Sequence, residues 1–231
     1  MSRNHRIVTG IGSIFLILVL LIGSVNATVL QPAFYKEVQR EQQVSQRMGI
    51  SEQDVENATI VALAYTKGLT DDLSYVVSKN NTSFDLYSSQ DKEHMIDVHN
   101  LYVGAYNFML FSSVLVFVCM IILIIKRKVV NIYSITKIFN QTSLYSFVFV
   151  IIITLFAFVN FNVFWTFFHK VFFRNDLWLM NPAVDALVNL FPEALFSALV
   201  FKIIFRFGTL FIGSNVMAIV YRKMSERRLA K

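Results

Sequence analysis

The most ionisable run in the chain is Asp91-Lys92-Glu93-His94-Met95-Ile96-Asp97-Val98-His99, directly ahead of an almost wholly apolar stretch, Leu101 to Ile125. A run of about 20 apolar residues crosses a bilayer as a helix, so His94 and Asp97 belong at a membrane surface. If that helix starts before the membrane, the two residues are three positions apart and share a face. An imidazole beside a carboxylate is suited to proton transfer, because the carboxylate can fix the tautomer and orientation of the ring. The plain alternative is a solvated, charged lead-in to a membrane helix. A second histidine weighs against that alternative. His169, in Phe168-His169-Lys170-Val171-Phe172-Phe173, ends another apolar run. Two imidazoles brought to one side of a membrane can converge on one site. A neutral ring accepts a proton, and a charged ring donates one or stabilises an oxyanion. The competing reading of His169 is a ring that anchors at the headgroups.

Other chemistries find less support. His94 and His99 are five apart and fall on different faces of a helix, whereas a helical zinc pair needs a spacing of about four. A three-ligand set of His94, Asp97 and His169 stays open, but no metal or cofactor is assigned. There is no serine elbow and no phosphate loop. The single cysteine, Cys119, lies inside an apolar run and reads as membrane filler with no intrachain disulfide partner. Lys202 and Arg206 are four apart inside the last apolar run, and no Asp or Glu lies within any of the four runs to pair with them. Charge within a membrane marks function by default. Snorkelling towards the headgroups competes with that reading, although Lys202 lies about 14 Å along a helix from Glu193.

The elements that position these residues follow from composition and charge. The 231 residues are 55% hydrophobic, with 23 Phe against 3 Pro, which is not the composition of a soluble domain. Four apolar runs are predicted to span the membrane: Ile7 to Val25, Leu101 to Ile125, Thr142 to Phe168, and a fourth opening at Pro192-Glu193 and ending near Val220. The net charge of +6 is distributed unevenly. Arg3 and Arg6 precede the first run, Lys126, Arg127, Lys128 and Lys137 follow the second, and Arg222, Lys223, Arg227, Arg228 and Lys231 follow the fourth. Residues 31–100 carry eleven Asp and Glu against six Lys and Arg. Basic residues flanking spans mark the cytoplasmic side, so the charge is a topology signal and not a nucleic-acid footprint.

The expected architecture is an all-α membrane protein with four transmembrane helices, both termini cytoplasmic, and an extracytoplasmic segment between the first and second spans. Residues 1–30 form the N-terminal tail and first helix, 31–100 the extracytoplasmic segment, and 101–231 a three-helix region with a short outer loop at 169–192 and a basic cytoplasmic tail. Within the segment, Ser51-Glu52-Gln53-Asp54 is a helix N-cap signature. Val55, Ala58, Ala62, Tyr65 and Leu69 follow one helical face, which stops near Gly68. Tyr75-Val76-Val77 suggests a short strand, and Asn80 to Ser83 a turn. Lys36 to Arg47 suggests a polar helix at the bilayer surface. The segment has too few apolar residues for an independent core of its size. In the outer loop, Asn181-Pro182 is a cap with Pro at the first helical position, predicting a short helix from Pro182 to Leu190 that carries Asp185. Trp165 and Trp178 are placed as interfacial anchors.

Glu93-His94-Met95-Ile96-Asp97-Val98, Phe168-His169-Lys170-Val171-Phe172-Phe173, Trp178, and Asp185 to Phe196 with its Phe191-Pro192-Glu193 together resemble the bacterial lipoprotein intramolecular transacylase family. The layout of one span, an outer segment and three further spans is similar too. The family pattern has a basic residue after Asp97-Val98, where this chain has His99. The resemblance implies a plasma-membrane enzyme working at the extracytoplasmic face without a cofactor. It would move the sn-2 acyl chain of a diacylglyceryl-modified lipoprotein to the α-amino group of its N-terminal cysteine, giving the lyso-form. His94 and His169 would then be catalytic, and Asp97, Glu93, Trp178, Asp185, Lys202 and Arg206 would orient or bind. The partners implied are the lipoprotein and membrane lipid, with no nucleic acid, and the protein itself is expected to be a monomer. The alternatives are a membrane lipid or ester hydrolase that uses the same histidines with water, and a non-catalytic membrane partner protein.

Overall fold

The computed structural model describes residues 3–79, 81–126 and 132–229 of the chain. Asn80, Arg127, Lys128, Lys231 and the side chain of Arg228 lie outside the described residues. The elements run in chain order: α1 (Arg3–Val29), α2 (Pro32–Glu41), α3 (Val44–Met48), α4 (Glu52–Lys67), β1 (Val76–Lys79), β2 (Thr82–Asp85), α5 (Ser89–Ile125), α6 (Ile132–Val159), α7 (Phe161–Phe172), α8 (Leu187–Leu190) and α9 (Glu193–Leu229). Helices α1, α5, α6 and α9 are each long and apolar enough to cross a membrane. The chain divides into two units. The first comprises Met1–Asn26, Tyr106–Val159 and Ile203–Lys231, and the second Ala27–Ala105 and Asn160–Lys202.

The first unit is built from the apolar lengths of the four long helices. Its surface is greasy, with Phe149 65% exposed, Phe158 74% and Phe205 78%. Apolar surface on this scale requires a lipid environment. Ile17, Phe207 and Phe211 pack with Leu20, Leu21 and Val150. Small and polar residues bring the helices together, as they do in membranes. A Cβ on Gly12 would stand 3.0 Å from the Cys119 Cβ, so Cys119 packs against the bare backbone of α1. Asn140 Nδ2 of α6 donates to Asn215 Oδ1 of α9 at 2.9 Å.

The second unit has a core of its own. Val44, Val55, Ala58, Ala62, Leu73, Val77, Leu86, Tyr87 and Met95 are buried with Ala186, Leu187 and Leu190. Residues 31–100 were expected to have too few apolar residues for an independent core, and they do not form this one alone. The stretch around α8 supplies the missing ones, fastened by a hydrogen bond from Gln39 Nε2 to the Leu190 carbonyl at 2.8 Å. A second cluster joins Tyr35 and Val38 of α2 to Leu195 of α9.

The local chemistry explains the element ends. Ser51 Oγ accepts from the Asp54 amide at 3.0 Å, capping α4. Gly68 ends α4 at φ 74°, a left-handed conformation that favours glycine. A Cβ there would lie 3.1 Å from His99 Cε1. β1 and β2 pair antiparallel, with Val77 opposite Phe84. Three expectations shift. The stretch from Thr142 to Phe168 is not one helix: α6 ends at Val159, and Asn160 caps a new helix by accepting from the Val163 amide at 3.0 Å. The polar stretch from Lys36 to Arg47 breaks into α2 and α3, with Gln43 between them at φ 52°. The expected helix from Pro182 to Leu190 is a turn followed by the four-residue α8, and Asp185 precedes that helix.

Candidate active site

Both histidines belong to the second unit. Helix α5 has 37 residues, about 55 Å at the helical rise and far more than the ~30 Å of a hydrocarbon core. Its first three turns therefore extend ahead of the apolar length, and His94 sits on them. His169 lies near the end of α7, a 12-residue helix that is too short to span.

The two rings come together. Their centroids are 6.1 Å apart and their planes are 25° from parallel. Both residues are buried, at 7% and 8% exposure. Phe173 closes over the pair, 5.2 Å from the His94 ring and 5.5 Å from that of His169. Trp178 lies 5.0 Å from His169 at 30°, and Trp165 meets it edge-on at 4.8 Å. Trp165 in turn stacks on Phe196 at 4.4 Å. The site is thus two imidazoles in an aromatic box.

The protonation states follow from this setting. His169 Nδ1 lies 2.7 Å from the Trp165 carbonyl. A carbonyl can only accept, so Nδ1 carries the hydrogen, and Nε2 holds the lone pair of the neutral ring. His94 Nδ1 is buried with no hydrogen-bond partner among the described residues. Burial pushes His94 down to about 4. The neighbouring His169 adds to the shift and Asp97 opposes it. Burial also lowers His169, against the bond to the Trp165 carbonyl. Both rings are therefore neutral at neutral pH. A buried polar atom left unpaired is costly, and such atoms concentrate where chemistry is done.

The other residues singled out in the sequence separate. Asp97 is on the same helix as His94, but its Oδ2 accepts from Asn175 Nδ2 at 2.8 Å. It influences His94 through charge and not through a hydrogen bond. Glu93 is exposed. Asp185 is buried at 3% and structural: Oδ1 accepts from Ser88 Oγ at 2.7 Å and Oδ2 from the Asn181 amide at 2.7 Å. Lys202 Nζ stands 4.4 Å over the Phe34 ring, in the second unit but away from the imidazoles' contacts. Arg206 falls in the first unit. His99 Nδ1 donates to the Tyr65 carbonyl at 3.0 Å and ties α5 to the end of α4. Among the described residues no three His, Cys, Asp or Glu side chains gather to hold a metal ion.

Four residues that sequence reasoning left without a role shape the site. Asp91, 0% exposed, accepts from the amides of Ser88 (3.0 Å), Ala186 (2.8 Å) and Leu187 (3.2 Å). It holds the stretch before α8 to the helix that carries His94. Burial raises its carboxyl above the usual range, and the three amides pull it back. Gln90, one turn before His94, donates to the carbonyls of Leu177 and Leu179. Asn175 and Phe173 complete the set. Asp91 and Phe173 stand in runs singled out in the sequence, and the signal for Asn175 was Asn175-Asp176-Leu177, in which Asn175 Oδ1 accepts from the Leu177 amide at 3.2 Å in a tight turn.

Comparison with known proteins gives a family and a fold. The family described as lipoprotein intramolecular transacylase Lit matches residues 10–196. No curated protein matches the chain. Among solved structures, the membrane-integral lipoprotein intramolecular transacylase Lit from Bacillus cereus superposes with a TM-score of 0.79 at 18% identity, covering 100% of each chain. A structure of that protein with one histidine replaced by arginine gives 0.73 at 18% identity, covering 99% of this chain and 95% of the other. At this identity the structural likeness establishes the shared fold.

Proposed function

The chain belongs to the lipoprotein intramolecular transacylase family, and from that premise we propose how it performs the transfer. It is a membrane acyltransferase of lipoprotein processing. The proposed substrate is a lipoprotein whose N-terminal cysteine carries a diacylglyceryl group on sulfur and a free α-amino group. The sn-2 acyl chain moves from its glycerol oxygen to that nitrogen. The observation that carries this reading is the buried, near-parallel pair of neutral imidazoles, His94 and His169, at 6.1 Å.

The reaction needs proton removal from the attacking amine, stabilisation of the carbonyl oxygen, and proton delivery to the departing glycerol oxygen. His169 suits the first and last tasks, because its Nδ1 is held by the Trp165 carbonyl and Nε2 is left as the basic atom. As the amine nitrogen bonds to the ester carbon, Nε2 takes its proton. As the carbon–oxygen bond to the glycerol breaks, the same proton passes to that oxygen. His94, neutral because it is buried, offers an N–H to the developing oxyanion. No water is consumed and no external acyl donor is required. Amine and ester sit in one bound molecule, so much of the entropic barrier is met on binding. The aromatic box excludes water, which would otherwise divert the acyl chain to free fatty acid.

The same reading places the second unit on the extracytoplasmic side and both termini in the cytoplasm. Its support is charge asymmetry: Arg3, Arg6, Lys126, Lys137, Arg222 and Lys223 flank the spans on one side, and the segment on the other side is acidic. Both imidazoles come from one chain, so a monomer suffices in the surrounding lipid. Mass spectrometry of a lipoprotein N-terminus tests the reaction. With the protein present, one acyl chain should be found as an amide on the cysteine nitrogen, with the glycerol in its lyso-form. Release of free fatty acid instead would make the protein a hydrolase.

A further inference from the structure

We propose that Asn175 is a positioning residue that locks the two histidine-bearing elements into one site, through Asp97 on one side and Trp178 on the other. The proposal rests on the transacylase reading of His94 and His169. Asn175 lies in the stretch after α7. Its Nδ2 donates to Asp97 Oδ2 at 2.8 Å, its Oδ1 accepts from the Leu177 amide at 3.2 Å, and its backbone carbonyl accepts from Trp178 Nε1 at 2.9 Å. Both side-chain polar atoms and the backbone carbonyl of one residue are thus committed. One bond reaches α5 one turn beyond His94. Another fixes the indole that lies 5.0 Å from the His169 ring. Gln90 fastens the same stretch to α5 one turn before His94, at the Leu177 and Leu179 carbonyls.

The stretch therefore runs along the His94 face of α5, held at positions four before and three after the histidine. Positions with these offsets lie on one helical face. Phe173, at its start, touches both rings. A hydrogen bond to an ionised carboxylate is stronger than a neutral one and more demanding in direction. Asn175 thereby converts the fixed geometry of α5 into a fixed position for Trp178, and Trp178 limits how the His169 ring can turn. Asp97 acts here through Asn175 as well as through its charge on His94.

The test uses the full chain in detergent with a synthetic diacylglyceryl-modified lipopeptide, following amide formation. Asn175→Ala should lower kcat about tenfold with KM changed less than about twofold, as loss of positioning does. Asn175→Asp should be at least as poor, because it sets two carboxylates against each other. Combining Asn175→Asp with Asp97→Asn reverses donor and acceptor, restores the bond, and should return kcat to within about threefold of the parent. An Asn175→Ala enzyme with more than half the parent kcat, or a reversed pair no better than Asn175→Asp alone, overturns the proposal. If Asn175→Ala does not accumulate in the membrane, the reversed pair against Asn175→Asp decides. NMR titration of labelled histidines separates this proposal from the transacylase reading. His94 is the titratable ring facing His169, and Asp97 is the charge acting on His94. Loosening Trp178 should move the His169 titration up towards the ordinary histidine value, whether or not the lipopeptide is turned over. If the parent does not turn over the lipopeptide, the transacylase reading fails. If the His169 titration does not move in Asn175→Ala, the positioning proposal fails.

Discussion

The His94 and His169 rings lie 6.1 Å apart and 25° from parallel, although 75 positions separate them in the chain. One ring is carried by the polar start of a helix whose remainder is apolar. The other is carried by a short helix that begins where the third apolar run breaks. Their meeting depends on the packing of the second unit, whose core includes Met95 beside His94 and the residues of α8.

The first prediction concerns pH. Burial disfavours the charged form of both rings, so both are depressed, His94 to about 4. Both rings should stay neutral through the ordinary histidine value of about 6.5, whereas the attacking α-amino group, ordinarily at about 7.7–8.0, must lose its own proton before it can attack. The amine therefore sets an acidic limb of the rate, and the rings are read by NMR titration of labelled histidines, in which both should take up their protons below pH ~6.5. The stability sign agrees. The unfolded chain takes up protons at His94 between about 6.5 and about 4 while the folded chain does not, so this contribution is complete above pH ~6.5 and is lost as pH falls towards 4. A ring that takes up its proton at or above pH ~6.5 would be solvated and not buried.

The second concerns Asp91. Its buried carboxylate accepts three backbone amides, and removing it leaves those donors without their partner. Asp91→Ala should cost about 3 kcal/mol of stability. Asp91→Asn, which keeps one acceptor oxygen, should cost less. Thermal unfolding in detergent measures both. A melting temperature for Asp91→Ala equal to that of the parent would show that the α8 stretch is held by packing alone.

Much of this was legible in the sequence, and the remainder was not for identifiable reasons. The four long helices announce themselves, because each needs only a local run of apolar residues. His94 and His169 could be named because charge asymmetry puts both run ends on one side. The break at Asn160 was hidden, since Phe161 to Phe168 continues the apolar composition and the cap depends on a single asparagine. Asp91 stood only at the head of the ionisable run; besides the nearby Ser88 amide its partners are the amides of residues 186 and 187, almost a hundred positions away. Trp165 was read as an interfacial anchor, and no local pattern shows that its carbonyl fixes the tautomer of His169. Asp97 was assigned to His94 by spacing. Spacing gives a shared face, but the bond goes to Asn175 because a loop reaches that face.

The third prediction concerns topology. With Cys119 replaced by alanine, single cysteines at Lys67 and Lys170, both exposed, should react in intact cells with a thiol reagent that cannot cross the membrane. A cysteine at Lys126 should react only after permeabilisation. The reverse pattern would place the imidazole pair in the cytoplasm, away from mature lipoproteins.

The central claim is that His94 and His169 form one catalytic unit, and the measurement that tests it most directly is a double-variant cycle. The rate of lyso-form production from a purified diacylglyceryl lipoprotein in detergent is compared for the parent, His94→Ala, His169→Ala and the double variant, each first shown to be present in the membrane at normal abundance. Groups that act together lose activity non-additively. Each single variant should therefore retain less than about one hundredth of the parent rate, with the double variant little worse than either. A single variant that keeps most of its activity, or single losses that simply multiply in the double variant, would contradict a shared site.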